Sequence, residues 1–540
     1  MDLSWVFYLA ICVCFIFAFG IGANDVANSF GTSIGSGALT LGQAICIAAV
    51  CEMTGAVTLA AGVSDTITRQ IADLDTQSCW DCGGEHSKMA VFMLGMTCAL
   101  VAGAAFLLLA TWFAMPVSTT HAIVGAVLGM SLVGAGAACV RWGYPGLLAI
   151  IASWIWSPLA AGLASGLCML AIKHLVLQAP NAERRALRAL PVLFGATLGV
   201  MLGLILLKAP MTAAWPAWQL ALVPAAVALG IAALVQLFLV PLVRRSISAV
   251  PSTDHAGWGE STELRLEAER SEGPAGSVAS SAPKIEVELS GGTRVNGDLR
   301  PLWDNDDGNE ESAGLLAHAT RTASEQERDA FWEDNSLLPG SSDKREGNGH
   351  AVNIAADGNV IVGTPAVRPA PAEQVFMYLQ VLSACLKSFA HGANDTANAS
   401  GPFAAVQALY LHGLSDCASV STPLWVLAFC GVGIVVGLAT CGSRVMNTVG
   451  KDITEINFSR GFAIELGSTL SVILASVVGM PVSSTHCQIG SIVAVGVLES
   501  GASNVHWGVF RNIVIAWLVT VPLSAGVAGV LLLALRPLVT

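Results

Sequence analysis

The chain has 540 residues, of which 54% are hydrophobic and 12% charged, and its mean hydropathy is +0.66. Soluble domains carry about a quarter charged residues, and the apolar residues here come in blocks of about twenty. This composition excludes an ordinary soluble domain and favours a polytopic helical membrane protein. The net charge of −12 belongs to one segment, because 23 acidic and 10 basic residues fall between Pro251 and Glu373.

In chain order, the apolar runs predict seven spans, then a polar segment, then five further spans. The first seven cover residues 3–22, 39–61, 89–115, 122–140, 146–172, 191–207 and 220–243. The last five cover residues 374–392, 424–441, 462–480, 488–498 and 512–535. The predicted fold is therefore an all-α polytopic membrane protein with about twelve transmembrane helices, some of them broken or re-entrant.

The chain divides into a membrane part at 1–245, a polar segment at 246–372 and a second membrane part at 373–540. The polar segment is rich in Ser, Gly, Glu and Asp, and we expect it to be largely disordered. Arg184, Arg185 and Arg188 and the pair Arg244–Arg245 predict cytoplasmic loops. By parity, residues 246–372 are then cytoplasmic, and both termini and the 63–88 loop lie outside.

A polar motif occurs twice. Gly22–Asn28 reads GANDVAN, and residues 392–398 read GANDTAN. A second motif, MPVSTTH at 115–121, returns as MPVSSTH at 480–486, and Glu52 is interpreted as the counterpart of Glu465. Seven predicted spans separate the copies, and an odd number inverts one copy relative to the other. Inverted repeats with helix-breaking motifs are typical of secondary transporters.

The second motif predicts an anion site. Pro116 and Pro481 interrupt their helices, and the Ser and Thr residues that follow suit the N-cap of a new helix. A helix N-terminus attracts anions, and hydroxyls add neutral donors, so two such ends would form a cradle for a tetrahedral oxyanion. Its candidate residues are Ser118, Thr119, Thr120, Ser483, Ser484 and Thr485.

The first motif predicts a cation site. Asp25 and Asp395 would repel an anion, and each has an Asn at i+3, Asn28 or Asn398, on the same helix face. Hard cations take oxygen ligands from carboxylates and amides, so Na⁺ at each Asp is one interpretation and protonation of the Asp is the other. Glu52 and Glu465 are buried by position, which favours a coupling-ion or gating role.

Six other residues carry weaker signals. Cys79 and Cys82 form a C-x-x-C pattern in a polar loop, for which a loop disulfide is preferred to a metal site. His121 and His486 are expected to brace their helices rather than to bind a ligand. Lys387 precedes the second motif and is expected to be a flanking or snorkelling charge. His391 precedes only the second motif, because the first copy has Ile21.

At these motifs the chain resembles the PiT-type inorganic phosphate transporter family, in its eukaryotic branch. The resemblance rests on residues 22–28, 392–398, 116–121 and 481–486, with the flanks 29–37, 52–55 and 460–466. It implies Na⁺-coupled phosphate uptake, with Asp25, Asn28, Asp395 and Asn398 binding Na⁺ and phosphate. It further implies phosphate contacts from the Ser/Thr residues above and a transport role for Glu52 and Glu465. The 63–88 loop has no Asn-x-Ser/Thr sequon, which departs from animal relatives.

The sequence therefore predicts a multi-pass plasma-membrane transporter that imports phosphate with Na⁺. The alternatives are an H⁺-coupled phosphate or sulfate transporter, and a phosphate sensor that signals through residues 246–372. No enzymatic activity, organic cofactor or nucleic-acid partner is expected. The expected partners are phosphate, Na⁺ and the lipid bilayer, and a homodimer is left open.

Overall fold

The computed structural model describes residues 3–80, 88–207, 212, 214–248, 285–289, 293–297, 352–354, 360–362, 370–413, 422–443, 445–446 and 456–540. The side chains of residues 27, 28, 77 and 248 and of the strands lie outside this description. The chain forms two compact units, Met1–Ser252 with Arg368–Thr540 (the membrane unit) and Thr253–Val367 (the linker unit).

In the first part of the membrane unit, the described residues form ten α-helices. They are α1 (Ser4–Asn24), α2 (Val26–Gly35), α3 (Leu41–Arg69), α4 (Gln77–Trp80), α5 (Met89–Trp112), α6 (Thr119–Gly134), α7 (Leu147–Ile172), α8 (Ala182–Leu206), α9 (Ala217–Leu234) and α10 (Val240–Ser248). One-turn π-helical segments extend α7 and join α9 to α10. Most of these helices are apolar on all sides, as expected for helices surrounded by lipid or by other helices.

The described residues of the second part include five long helices, α11 (Pro371–His412), α12 (Leu424–Cys441), α13 (Phe458–Val477), α14 (Ser484–Ser500) and α15 (Trp507–Leu535). The order of the two motifs shows which helices of the second part correspond to helices of the first part. The GAND motif lies at the end of α1 and within α11, and the Ser/Thr motif precedes α6 and α14. Asp25 interrupts the first copy between α1 and α2, whereas α11 continues through Asp395.

The linker unit contains two antiparallel strand pairs among its described residues. Strand β1 (Ile285–Leu289) pairs with β2 (Thr293–Gly297), with Val287 opposite Val295. Strand β3 (Val352–Ile354) pairs with β4 (Val360–Val362). Most of residues 246–372 lie outside the described residues, so the expected disorder and the domain boundaries stay predictions.

Nine helical stretches of the described residues are long and apolar enough to cross a membrane, rather than the twelve predicted. The predicted spans at 122–140 and 488–498 correspond to α6 and α14, whose 16 and 17 residues are too few to cross comfortably. The predicted span at 374–392 is part of α11, whose 42 residues extend for about 60 Å and carry many polar side chains.

A disulfide shows that α6 returns toward the end of the molecule from which α5 starts. Cys79, before α5, is bonded to Cys139, after α6, and Ala72 forms a β-bridge with Val140. Helices α5 and α6 therefore form a hairpin whose two ends lie together. The predicted staple between Cys79 and Cys82 was wrong, because the partner of Cys79 lies 60 residues away in sequence and is brought close only by this hairpin. Cys82 itself lies outside the described residues.

The two repeats interlock through glycines. Helix α1 packs on α12 and α11 packs on α3, so each motif helix contacts a helix of the other repeat. A Cβ atom on Gly22 would lie 1.8 Å from the Ile434 carbonyl oxygen, and one on Gly392 would lie 2.2 Å from the Glu52 carbonyl oxygen. Only glycine permits this approach of two backbones.

These paired contacts also identify which positions correspond between the repeats. Because Gly22 meets Ile434 as Gly392 meets Glu52, the counterpart of Glu52 on α3 is Ile434 on α12. Glu465 lies on α13, which corresponds to α5 of the first repeat. The pairing of Glu52 with Glu465 was therefore wrong, because two acids in similar apolar runs belong to different helices of the repeat.

Candidate functional site

The Ser/Thr motifs place two helix N-termini in the interior of the membrane unit. Ser118 and Ser483 are the N-cap residues of α6 and α14, and their hydroxyl oxygens accept from the backbone N–H of His121 and His486, both at 3.2 Å. Both serines are buried. The predicted caps are thus present, and the positive ends of two helix dipoles lie away from water.

Asp25 is surrounded by hydroxyls of both repeats. Its Oδ2 accepts from Thr119 at 2.7 Å, and its Oδ1 accepts from Ser484 at 3.3 Å and from Thr485. The carboxylate is 1% exposed. An aspartate of one repeat therefore contacts the first turn of both half-helices, which places α6 and α14 around a single centre.

Asp395 lies at the same centre. Its Oδ1 accepts from Asn398 at 2.9 Å, from Asn394 at 3.3 Å and from Thr119 and Thr120 at 3.3 and 3.4 Å. Asn398 also donates to Thr119 at 3.0 Å. Asp25 and Asp395 thus share Thr119 as a neighbour, and the two predicted cation sites form one cluster. The side chain of Asn28 lies outside the described residues.

Two mirrored hydrogen bonds join the motifs. Thr120 donates to the carbonyl of Val482 at 3.0 Å, and Thr485 donates to the carbonyl of Val117 at 3.1 Å. Each threonine of one half-helix therefore binds the loop that precedes the other half-helix. These two hydrogen bonds fix the N-termini of α6 and α14 relative to each other and keep the threonine hydroxyls beside the aspartates.

Three buried groups at this centre could hold a cation. One ligand atom from each of Asp25, His391 and Asp395 lies within 4.8 Å of the others. Two buried carboxylates beside each other are costly unless a cation or proton compensates them. Carboxylate, hydroxyl and amide oxygens are the ligands that hard cations such as Na⁺ prefer.

His391 connects the centre to Glu52. Its Nδ1 lies 2.9 Å from Glu52 Oε2, and its Nε2 lies 3.4 Å from Asp395 Oδ2. Glu52 also accepts from Ser388 at 3.0 Å. All three ionisable groups are fully buried. The sequence shows His391 in one copy of the motif only and predicts no role for it, since the contact with α3 depends on the interlocked packing.

Glu465 belongs to a separate cluster. Its carboxylate accepts from Thr32 at 2.6 Å, from Gln380 at 3.4 Å and from Ser33 and Ser383. It is buried, as predicted from its position in an apolar run. The structure does not bring Glu465 into hydrogen-bonding contact with the aspartates, but Ser383 and His391 lie on the same helix, α11, and connect the two regions.

Two further predictions about single residues can be compared with the structure. The rings of His121 and His486 pack at a tilt against Trp154 and Trp517, with centroids 3.8 and 3.7 Å apart, and the two imidazole centroids lie 4.4 Å from each other. This agrees with a bracing role. The expectation for Lys387 was wrong, because its side chain is only 1% exposed. Four turns of α11 precede Lys387, so it lies within the helix and not at the end of a membrane span.

Comparison with known proteins agrees with this architecture. The model of the phosphate transporter family matches residues 21–528. The chain is 33% identical to sodium-dependent phosphate transporter 2 of Felis catus, with 99% of each chain covered, and 34% identical to that of Homo sapiens, with 95% of each covered. A solved structure titled "The sodium-dependent phosphate transporter" is 28% identical with a TM-score of 0.68, covering 98% of this chain and 99% of that one.

The relatives are named as transporters, which agrees with the expectation of a protein without enzymatic activity. The family match includes both copies of both motifs and the buried centre that they form. On these grounds the chain belongs to the phosphate transporter family.

Proposed function

We propose that this protein is a secondary transporter that imports inorganic phosphate together with Na⁺. The observation that carries the proposal is the shared environment of Asp25 and Asp395, two buried acids from opposite repeats that both contact Thr119. Named relatives are sodium-dependent phosphate transporters, which supports the same cation and the same anion. H⁺ in place of Na⁺ is the main alternative, since protonation would also neutralise the carboxylates.

Na⁺ would bind at the aspartates. Asp25 and Asp395 supply negative charge, and Asn398, whose amide nitrogen donates to Asp395, would add its amide oxygen as a ligand. Asn28 is proposed as an equivalent ligand from the repeat. Glu52 and Glu465 would serve a second ion or gating, Glu52 through His391 and Glu465 through the hydroxyls that surround it.

Phosphate would bind at the two half-helix N-termini. Thr119, Thr120, Ser484 and Thr485 place hydroxyls at this centre, and the dipole ends add positive potential. Ser118 and Ser483 cap the helices with their oxygens, so they would position the backbone N–H groups. In the structure the carboxylates accept from the hydroxyls, so Na⁺ would release those donors for phosphate and thereby link the two ligands.

Alternating access would arise from movement of one interlocked unit of helices against the other. The glycine contacts at Gly22 and Gly392 hold each motif helix on a partner of the other repeat, and the centre lies between them. In inverted-repeat transporters such units exchange roles between inward-open and outward-open states. The proposed function thus assigns the two repeats equivalent mechanical roles.

The expected location is the plasma membrane. The Cys79–Cys139 disulfide supports placing that end of the molecule outside, since disulfides persist in oxidising surroundings. Both termini would lie outside and residues 246–372 in the cytoplasm. Whether two copies associate is a separate question that blue-native electrophoresis of the purified chain would answer.

The test is uptake of radiolabelled phosphate into proteoliposomes that contain the full chain. Na⁺ is replaced by choline at two pH values, and sulfate is added as a competitor. We expect uptake in Na⁺ only, unaffected by sulfate. Uptake without Na⁺ that rises at acid pH would move the coupling to protons, and strong competition by sulfate would change the substrate.

A deletion of residues 250–370 separates a transporter from a sensor. We expect the shortened chain to keep its phosphate flux, because the proposed centre lies wholly within the membrane unit. Full-length protein that binds phosphate but moves none would favour the sensor.

A further inference from the structure

Lys387 is a buried amine at the centre of the membrane unit. It lies on α11, one turn before His391 and two turns before Asp395, and its side chain is 1% exposed. It is the only buried lysine or arginine side chain in the part of the chain that the structure describes. Its Nζ forms no hydrogen bond with any described residue. A buried ammonium without a partner is costly, so its presence requires a reason.

The surroundings of the amine are acidic. Lys387 precedes His391 by four residues and Asp395 by eight on α11, which places the three side chains on one side of the helix. One turn before it, Ser383 donates to Glu465, and one turn after it, His391 contacts Glu52. The amine therefore lies between the two acid clusters and within the field of the proposed cation site.

The first repeat has no such amine. The offset of 370 residues that relates Asp25 to Asp395 relates Phe17 to Lys387 and Ile21 to His391. Phe17 is fully buried and packs in the apolar core, so this position of the inverted fold is filled by an aromatic ring. The fold therefore does not require a charged residue at this position, and Lys387 is a feature of the second repeat alone.

The buried carboxylates of the membrane unit indicate what a lysine at this position could do. Four carboxylates, Asp25, Asp395, Glu52 and Glu465, are buried in the described part of the membrane unit. Each unpaired buried charge must be compensated by a cation, a proton or a hydrogen-bond network. A fixed ammonium compensates the charge of one carboxylate, so one cation fewer is needed. Unlike Na⁺, it stays in the protein during the transport cycle.

We propose that the Lys387 ammonium is a tethered cation of the transport site, which takes the place of one Na⁺. The chain then moves one Na⁺ fewer per phosphate than the same chain without the amine. This inference rests on the proposed Na⁺-coupled phosphate transport and deepens it. It assigns Lys387 as a positioning residue that sets the coupling ratio rather than as a ligand of phosphate.

The experiment compares the full-length chain with K387M, K387R and F17M in proteoliposomes. Methionine removes the charge at similar length, arginine keeps it, and F17M changes the equivalent position of the first repeat. Influx of radioactive sodium and of labelled phosphate is measured in the same vesicles. We expect K387M to raise the Na⁺-to-phosphate ratio by about one, while K387R and F17M keep the ratio of the unaltered chain.

A second readout does not require transport. The Na⁺ dependence of thermal stabilisation by phosphate is measured on purified K387M, and we expect its Hill coefficient to rise by about one. An unchanged flux ratio together with an unchanged Hill coefficient in K387M would overturn the inference. If the unaltered chain moves phosphate with Na⁺, that result leaves the proposed function intact. If the unaltered chain moves no phosphate, the proposed function fails as well.

Discussion

The imidazole Nδ1 of His391 lies 2.9 Å from Oε2 of Glu52, so a helix of the second repeat is bound to a helix of the first through two fully buried ionisable groups. The other ring nitrogen lies 3.4 Å from Asp395. The His391 ring thus lies between Glu52 and the aspartate centre. Neither Ile21 nor Ile434, the matching residues of the other repeat, can make such a contact.

This relationship predicts that Glu52 and His391 act as a unit. We expect E52Q and H391Q each to raise the Na⁺ concentration for half-maximal phosphate uptake by about tenfold, because each leaves a buried partner unpaired. The double variant should be no worse than the more affected single variant, since both changes break the same contact. Additive effects in this double-mutant cycle would show that the two side chains act independently.

The mirrored threonines predict a second result. T120V and T485V each remove a hydroxyl that binds both an aspartate and the loop before the opposite half-helix. Hydrogen bonds to charged groups contribute about 1.5–3 kcal/mol, so we expect the phosphate concentration for half-maximal uptake to rise about 10- to 100-fold. The control is T440V, whose exposed hydroxyl bonds only to its own helix. Equal phosphate affinity in T485V and T440V would contradict the assignment.

The interlocked glycines predict a loss of folded protein. A methyl group on Gly22 would lie 1.8 Å from the Ile434 oxygen, whereas one on Gly42 would have no atom within 4 Å. We expect G22A to lower the stability by about 3 kcal/mol or more and G42A to leave it unchanged or slightly raised. Thermal unfolding of both variants followed by size-exclusion chromatography measures this. A G22A protein as stable as G42A would show that α1 and α12 are not packed as described.

The disulfide predicts a redox dependence of stability. The Cys79–Cys139 bond closes a loop of 60 residues around the hairpin of α5 and α6, and such a loop contributes up to about 4 kcal/mol. We expect C139S, and the unaltered chain in reducing agent, to unfold at a lower temperature than C12S, which removes an exposed free thiol. An unfolding temperature of C139S equal to that of C12S would mean that the hairpin is held by packing alone.

An ion pair at the same end adds a pH dependence. Burial opposes ionisation of Asp73, but the hydroxyl of Thr76 and the guanidinium of Arg141 outweigh it and hold the pKa of this carboxyl below its usual value. A lowered pKa in the folded state gives stability that is present above the unfolded pKa and is lost as the pH falls through the folded one. We expect this contribution to vanish in D73N, whose stability should change less between neutral and acid pH.

The motifs themselves were predictable from the sequence because they depend on local chemistry. Pro116 and Ser118 specify a helix break and a new N-cap whatever lies around them, and the repetition at Pro481 and Ser483 confirms the pattern. The burial of Asp25 and Asp395 followed from their position in apolar runs. The inverted orientation of the repeats was predicted from an odd number of spans between them. A pair of helices that returns to the side where it began does not change whether that number is odd or even.

Contacts between distant segments were not predictable in the same way. Cys139 as the partner of Cys79, Ile434 as the counterpart of Glu52 and the burial of Lys387 all depend on which helices pack together. One sequence gives no signal for that choice, since α3 and α13 are both apolar helices that carry one glutamate. The glycines at 22 and 392 carried the information, but their partners became evident only with the fold.

The central claim is that both repeats build one site, and phosphate binding to the purified chain tests it most directly. Binding of labelled phosphate is measured in saturating Na⁺ and in choline for the full chain, D25N, D395N and the exposed control D65N. The account predicts about one phosphate per chain in Na⁺, none in choline, and loss of binding in either D25N or D395N alone, because each carboxylate completes the same cation site. Two phosphates per chain, with one retained in each single variant, would contradict the account and assign a separate site to each repeat.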